Sequence, residues 1–187
     1  ELLLDWYLPW RGNRTLPASA RHAFVELWAG TLGPVLARPP TWTLRDYHSP
    51  NLLWLAGRQG VARVGMLDFQ DCVLGPAAYD VVSLSQDARI DVPDDLELQL
   101  LGAYVRLRRA GDDSFDAALF ASEYAVMGAQ RATKILGIFA RLDARDGKPQ
   151  YLRHIPRIER NLARCLLHPA LRELRAWYEA HVPDVLA

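Results

Sequence analysis

Apolar side chains recur at helical spacing along most of this chain. Between residues 18 and about 36, Ala20, Phe24 and Leu27 follow the period of an amphipathic helix, and Pro39-Pro40 ends the segment. Beyond Gly75-Pro76 the same period continues almost to the end of the chain. It predicts further helices at about residues 77–88, 94–110, 114–141, 151–167 and 169–180.

The middle of the chain favours strands instead. Residues 52–55 and 61–67 are apolar and flank a short glycine-containing connection, Ala56-Gly57-Arg58-Gln59-Gly60, which predicts a β-hairpin. Thr41-Trp42-Thr43-Leu44 is also β-prone. Residues 1–16, which contain Pro9 and Gly12, are interpreted as a strap. We therefore expect a mainly α fold with a small β-hairpin region.

The composition is that of an ordinary globular domain. The 187 residues carry 22 basic and 22 acidic side chains, so the formal net charge is zero, and 50% of the residues are hydrophobic. Such a chain is not intrinsically disordered, and a nucleic-acid partner bound through bulk positive charge is not expected. No apolar run approaches the roughly 18 residues that span a bilayer, so we expect no membrane partner and a cytoplasmic location.

Oxygen-bearing polar side chains occur at two points beside the predicted hairpin. Asp46 and Asn51 lie on the loop before it, and Asp68 follows its second apolar strand. Asp68 is therefore expected to emerge next to the first loop. Such ligands suit Mg²⁺, which binds one or two carboxylates together with substrate phosphates. Singly, these residues could be turn or strand-end caps; together they favour a metal and phosphate site.

These motifs resemble those of the aminoglycoside phosphotransferase family, which has a protein-kinase-like fold. Asp46 with Asn51 matches the D-x-x-x-x-N catalytic loop, and Asp68 matches the metal-binding Asp. Residues 45–48, 68–71 and 75–80 are most similar to the bacterial branch of anomeric N-acetylmuramate/N-acetylglucosamine kinases. The resemblance implies ATP- and Mg-dependent transfer of a phosphoryl group to a small-molecule hydroxyl, at the anomeric position of an amino sugar.

Three alternatives stay open at this point. Two belong to the same enzyme class, an aminoglycoside-type kinase and a choline-type kinase. The third is a catalytically idle, kinase-like binding module. By the resemblance, Asp46 would be the catalytic base or orienting carboxylate for the attacking hydroxyl, and Asn51 and Asp68 would hold the Mg²⁺ that bridges the phosphates of ATP.

The resemblance also implies supporting roles for neighbouring residues. Asp80 and Arg45 would be structural, with Asp80 bracing the catalytic loop through hydrogen bonds. His48, Gln70 and Asp71 are candidates for support of substrate or metal. For His48 the alternative is local packing of the loop, and for the other two it is capping of a helix or turn.

The nucleotide-binding half of a kinase-like fold is not recognisable in this sequence. The glycines form no G-x-G motif, and neither Lys134 nor Lys148 lies in a predicted strand. Leu44 stands where the motif has a His, which affects bracing of the loop more than chemistry. We therefore interpret residues 1–187 as a C-terminal lobe, with the strap of residues 1–16 leading from an N-terminal nucleotide lobe in cis. This segment alone is expected to have negligible activity.

Overall fold

Helices account for most of residues 1–186, which are the residues described by the computed structural model. The four strands are short and lie between the second and third helices. The α-helices are α1 (Leu8–Gly12), α2 (Ala18–Leu36), α3 (Ala78–Ser85), α4 (Asp94–Gly111), α5 (Ala117–Asp146), α6 (Ile155–Leu166) and α7 (Arg172–His181). The strands are β1 (Thr41–Thr43), β2 (Leu52–Trp54), β3 (Val64–Met66) and β4 (Val73–Gly75). The expectation of a mainly α chain with a small β region is confirmed.

The chain divides into two compact units. Unit 1 contains Glu1–Ala37 and the chain from Ala125 onwards, and unit 2 contains Arg38–Tyr124. The strap at the start of unit 1 is helical, because a π-helical turn at Leu3–Tyr7 continues into α1. The side chains that this helical segment buries are Leu3, Leu4, Tyr7 and Leu8.

Aromatic side chains join α2 to α7 in the core of unit 1. The Phe24 and Trp177 rings lie 4.5 Å apart between centroids, and the indole N–H of Trp177 donates to the carbonyl of Ala20 at 3.0 Å. Helix α5 is attached to α7 by a buried hydrogen bond of 2.7 Å between the hydroxyls of Thr133 and Tyr178. Burial raises the pKa of the Tyr178 phenol far above its ordinary value, so this hydroxyl stays protonated.

One glycine allows the opening turn to approach α5 closely. Gly137 lies on α5, and a Cβ added there would overlap the backbone of Leu2. The contact therefore depends on the absence of a side chain at this position. This close approach accounts for a glycine inside a long helix, where glycine is normally unfavourable.

The strands of unit 2 form two antiparallel pairs. The predicted hairpin is confirmed as β2 with β3, in the register Leu52↔Met66 and Trp54↔Val64. Residues 60–63 form a 3-10 turn rather than the start of the second strand, so β3 is shorter than predicted. The second pair consists of the first and the last strand, β1 and β4, in which Thr41 lies opposite Gly75. This pairing was not predicted.

A buried polar network fixes the end of α3 inside unit 2. The Glu97 carboxylate of α4 accepts hydrogen bonds from the Gln86 amide at 2.9 Å and from the Tyr124 hydroxyl at 2.6 Å. The Tyr124 hydroxyl also lies 2.7 Å from the Ser85 hydroxyl. Helix α3 is thereby held against α4 and the start of α5.

Several large apolar side chains on the strands of unit 2 face solvent. Trp42 and Leu74 are register partners on β1 and β4, and they are 74% and 65% exposed. Trp54 on β2 and Phe69, just beyond β3, are 68% and 61% exposed. The adjacent side chains of Trp42 and Leu74 form an exposed apolar patch, a feature typical of surfaces that bind another partner or another part of a protein.

Candidate active site

The loop between β1 and β2 is tightly wound around Asp46. The Asp46 amide donates to the carbonyl of Leu44 at 2.8 Å, and the His48 amide donates to the carbonyl of Asp46 at 3.0 Å. Arg45, immediately before Asp46, has a φ of 70° in the left-handed region. A non-glycine residue adopts that conformation at an energetic cost, and such strain is concentrated at functional sites.

Asp80 holds the front of this loop. It lies in the first turn of α3, and its two carboxylate oxygens accept the amides of Leu44 at 2.6 Å and Arg45 at 3.0 Å. The Ser83 hydroxyl, one turn further along α3, lies 3.4 Å from the carbonyl of Arg45. These contacts satisfy backbone groups on both sides of the strained residue and so maintain its conformation. Asp80 thus hydrogen-bonds the backbone of residues 44 and 45, in the loop that the sequence analysis expected it to brace.

Two further hydrogen bonds draw the segments that carry Asp46, Asn51 and Asp68 together. The side-chain amide of Asn51 donates to the carbonyl of Asp46 at 3.0 Å. The carbonyl of Asn51 accepts the amide of Leu67 at 2.9 Å, which brings the end of β3 to the loop. Asp68 follows directly, with a φ of 53°, and is exposed. Both strained residues of unit 2 are thus next to, or part of, the predicted site.

The donor chemistry of Asn51 and Asp68 fits a divalent cation such as Mg²⁺. Because the NH₂ group of Asn51 is engaged with Asp46, its Oδ1 atom is the group left to accept a hydrogen bond or bind a cation. Asp68 supplies an exposed carboxylate. Within residues 1–186, no three His, Cys, Asp or Glu side chains are grouped as a metal site. In sites of this kind, Mg²⁺ usually takes only one or two ligands from the protein, and phosphates and water complete its coordination shell. One carboxylate and one amide oxygen match that number.

The remaining predicted residues lie in different environments. His48 is buried, at 6% exposure, and its Nε2 atom lies 3.1 Å from a guanidinium nitrogen of Arg89. Gln70 and Asp71 are exposed in the turn that leads to β4. The ring of His48 therefore faces protein, whereas the other two side chains face solvent.

Sequence reasoning missed Asp87, which lay inside a predicted helix at residues 77–88. Helix α3 ends at Ser85, and Asp87 follows it as a carboxylate that is only 1% exposed. Its Oδ2 atom accepts the Ser49 amide at 3.3 Å, and its Oδ1 atom accepts the amides of Arg89 at 2.7 Å and Ile90 at 3.3 Å. An Asp at the end of an apolar helix is a known turn signal, and that signal could have identified it.

Comparisons with known proteins agree with the motifs. The model of the phosphotransferase enzyme family matches residues 1–118. An N-acetylmuramate/N-acetylglucosamine kinase of Caulobacter vibrioides is 40% identical over 183 residues, covering 98% of this chain and 49% of that protein. A protein of the same name from Neisseria meningitidis is 37% identical over 168 residues, covering 88% of this chain and 48% of its own length. One from Pseudomonas aeruginosa is 37% identical over 190 residues, covering 93% and 51%. The chain spans about half the length of the curated relatives it matches.

Proposed function

Because this chain belongs to the phosphotransferase enzyme family, we propose that it is part of a sugar kinase that uses ATP and Mg²⁺. The proposed reaction transfers the γ-phosphoryl group to the anomeric hydroxyl of an amino sugar and releases ADP. The observation that carries this proposal is the pair of hydrogen bonds by which Asn51 joins Asp46 to the end of β3, next to Asp68. The names of the relatives support the choice of acceptor.

Phosphoryl transfer requires mainly positioning and neutralisation of charge, which suits this arrangement. Asp46 is exposed on a loop whose backbone is fixed, so its carboxylate can orient the attacking hydroxyl and accept its proton. Asn51 and Asp68 would hold Mg²⁺, which when bound neutralises charge on the phosphates. The fixed backbone lowers the cost of orienting Asp46 at the moment of reaction.

The balance of charge gives a polycationic acceptor no special support. An acidic cleft would be expected if the acceptor were an aminoglycoside, and the chain as a whole has equal numbers of basic and acidic side chains, 22 of each. An idle binding module has no need of strained backbone at Arg45 and Asp68. We therefore favour an active sugar kinase over these alternatives.

We infer further that these 187 residues are the C-terminal lobe of the kinase, entered through residues 1–16 from an N-terminal nucleotide lobe. Two observations support this. The chain spans about half the length of the relatives, and the strands of unit 2 expose Trp42, Leu74 and Trp54. An apolar face of this kind would be covered by a second lobe. We place the reaction in the cytoplasm, where ATP is available.

The proposal is tested with the full-length protein and labelled ATP. The acceptors are N-acetylglucosamine, N-acetylmuramate, an aminoglycoside and choline, and phosphorus NMR of the product locates the new bond. We expect transfer to the anomeric oxygen of the amino sugars. Asp46→Asn should reduce the rate by about 10²- to 10⁴-fold, the usual contribution of a general base. Asp113→Asn, a change at an exposed carboxylate between α4 and α5, is the matched control and should retain the rate.

Two results would contradict the proposal. Transfer only to choline or to the aminoglycoside would exclude the amino-sugar assignment, and an Asp46→Asn variant with nearly full activity would remove Asp46 from catalysis. The lobe assignment is tested separately with the 187-residue segment alone, which should show negligible turnover. Robust activity of that segment would refute the need for a second lobe.

A further inference from the structure

The loop that carries Asp46 is held at a second point, on the far side of that residue from Asp80. The amide of Ser49, three positions after Asp46, donates to Oδ2 of Asp87. Asp80 holds residues 44 and 45, so Asp46 and Tyr47 lie between two anchored positions. The backbone at Asp46 is therefore restrained from both directions.

The two oxygens of Asp87 perform separate tasks. Oδ1 accepts the amides of Arg89 and Ile90 and so forms the turn that ends α3, whereas Oδ2 reaches the loop at Ser49. A carboxylate that is 1% exposed is retained only when hydrogen bonds compensate for its burial, and these three backbone amides provide that compensation.

A second contact reinforces the same anchor. Arg89 belongs to the turn that Oδ1 of Asp87 forms, and its guanidinium lies 3.1 Å from Nε2 of His48. His48 is the residue before Ser49, so two neighbouring positions of the loop contact the Asp87 turn. The contacts are of different kinds, one through backbone and one through a side chain, and both fix the same stretch of chain.

We propose that Asp87 is a positioning residue for phosphoryl transfer, acting through its Oδ2 contact with Ser49 to keep Asp46 in its productive position. This inference rests on the proposed function. Asp87 is only 1% exposed, so we expect it to make no contact with substrate and its loss to leave substrate binding intact. A small displacement of Asp46 is enough to slow the chemical step strongly, because rates depend steeply on alignment of the reacting groups.

The chemistry of Asp87 allows the loop contact to be removed while the turn is kept. In Asp87→Asn the one remaining acceptor oxygen can still accept Arg89 and Ile90, as asparagine does in ordinary turns. The NH₂ group then faces the amide of Ser49, and two donors cannot bond. In the full-length kinase we expect kcat to fall by about 100-fold, as for a displacement of about 1 Å, with KM for ATP and sugar nearly unchanged.

A control separates this effect from a general loss of stability. Thr133→Val removes the buried hydrogen bond to Tyr178 in unit 1, which should lower the melting temperature without contact with the loop. Its kcat should remain at the wild-type value. If kcat falls in both variants in proportion to their loss of melting temperature, the positioning role is refuted.

A second pair of variants tests the same contact from the loop and does not alter the buried carboxylate. Ser49→Pro removes the donating amide together with the side-chain hydroxyl. Proline is tolerated there because Ser49 begins a 3-10 turn and the preceding residue is already extended. Ser49→Ala keeps the amide. We expect Ser49→Pro to reproduce the loss of kcat, and Ser49→Ala to behave as wild type.

The possible results separate the positioning role of Asp87 from the proposed kinase function. An active wild type in which Asp87→Asn and Ser49→Pro both keep kcat would overturn the positioning role and leave the kinase intact. If Asp87→Asn does not fold, the comparison of Ser49→Pro with Ser49→Ala decides the question. A wild-type protein without transfer to any acceptor would overturn the proposed function, and the positioning role with it.

Discussion

Asparagine at position 80 would remove one of the two acceptors that fix the front of the loop. The carboxylate of Asp80 accepts the amide of Leu44 through one oxygen and the amide of Arg45 through the other. An asparagine side chain has a single acceptor, so one of the two amides would face an NH₂ group. Asp80→Asn should therefore release one end of the loop and leave α3 in place.

The size of this effect follows from the type of hydrogen bond that is lost. A hydrogen bond to a charged group contributes about 1.5–3 kcal/mol, and each ~1.4 kcal/mol is a factor of ten in an equilibrium constant. Protection of the released amide against hydrogen exchange should thus fall by roughly 10- to 150-fold. Because Arg45 has a φ of 70°, its amide is the one expected to open first.

The assay is amide hydrogen exchange followed by NMR on the labelled full-length protein. Asp116→Asn is the matched control, since Asp116 caps the start of α5 through one oxygen, Oδ1, which accepts the amides of Ala118 and Leu119. Asparagine can replace aspartate there, so protection at Leu44 and Arg45 should not change. Unchanged protection of both amides in Asp80→Asn would refute the brace. An equal loss throughout unit 2 would show global destabilisation instead.

Three further predictions concern stability. Gly137→Ala should lower the melting temperature by the equivalent of about 1–3 kcal/mol, because the new Cβ overlaps the backbone of Leu2. Burial raises the pKa of Glu123 and outweighs the opposing effect of Arg38, so folding stability falls as pH rises through that pKa. Glu123→Gln, which resembles the protonated acid, should therefore melt higher than wild type at a pH of about 8 and equally at a pH of about 3.5. Asp68→Gly should gain up to about 1 kcal/mol by relieving the left-handed backbone, yet abolish phosphate transfer.

For each of these three variants, a control or a specific result would contradict the prediction. Gly30→Ala on α2, where the new Cβ has open space, should raise the melting temperature, and a similar rise for Gly137→Ala would contradict the close approach. For Glu123, a stabilisation by Gln that is the same at both pH values would exclude ionisation as its cause. For Asp68, retention of activity in the glycine variant would exclude the carboxylate from the site.

Local patterns predicted the local elements well. Helix α2 has the bounds that its apolar period and the following Pro39-Pro40 indicate, and β2–β3 is a hairpin because its strands are close in sequence. The pairing of β1 with β4 was missed because its partners are separated by the whole loop and hairpin, and no periodicity marks such a contact. The start of β3 was wrong because residues 60–63 adopt a 3-10 turn.

The motif residues were easier to find than the residues that support them. Asp46, Asn51 and Asp68 stand out because oxygen ligands at these positions match a known pattern, and the structure brings their chain segments together. Asp87 matches no catalytic motif, and the sequence marks it at most as a turn residue. Its contact with Ser49 exists only because α3 ends at Ser85 and its following turn faces the loop, which depends on tertiary packing.

The exposed strand face of unit 2 has a practical consequence for work with this chain. Trp42 and Leu74 stand side by side in solvent, with Trp54 exposed on the neighbouring sheet. Large apolar side chains that face solvent promote association between molecules. Prepared by itself, the 187-residue polypeptide should therefore scatter more light as its concentration increases, and detergents or fusion partners that mask these tryptophans should keep it monodisperse.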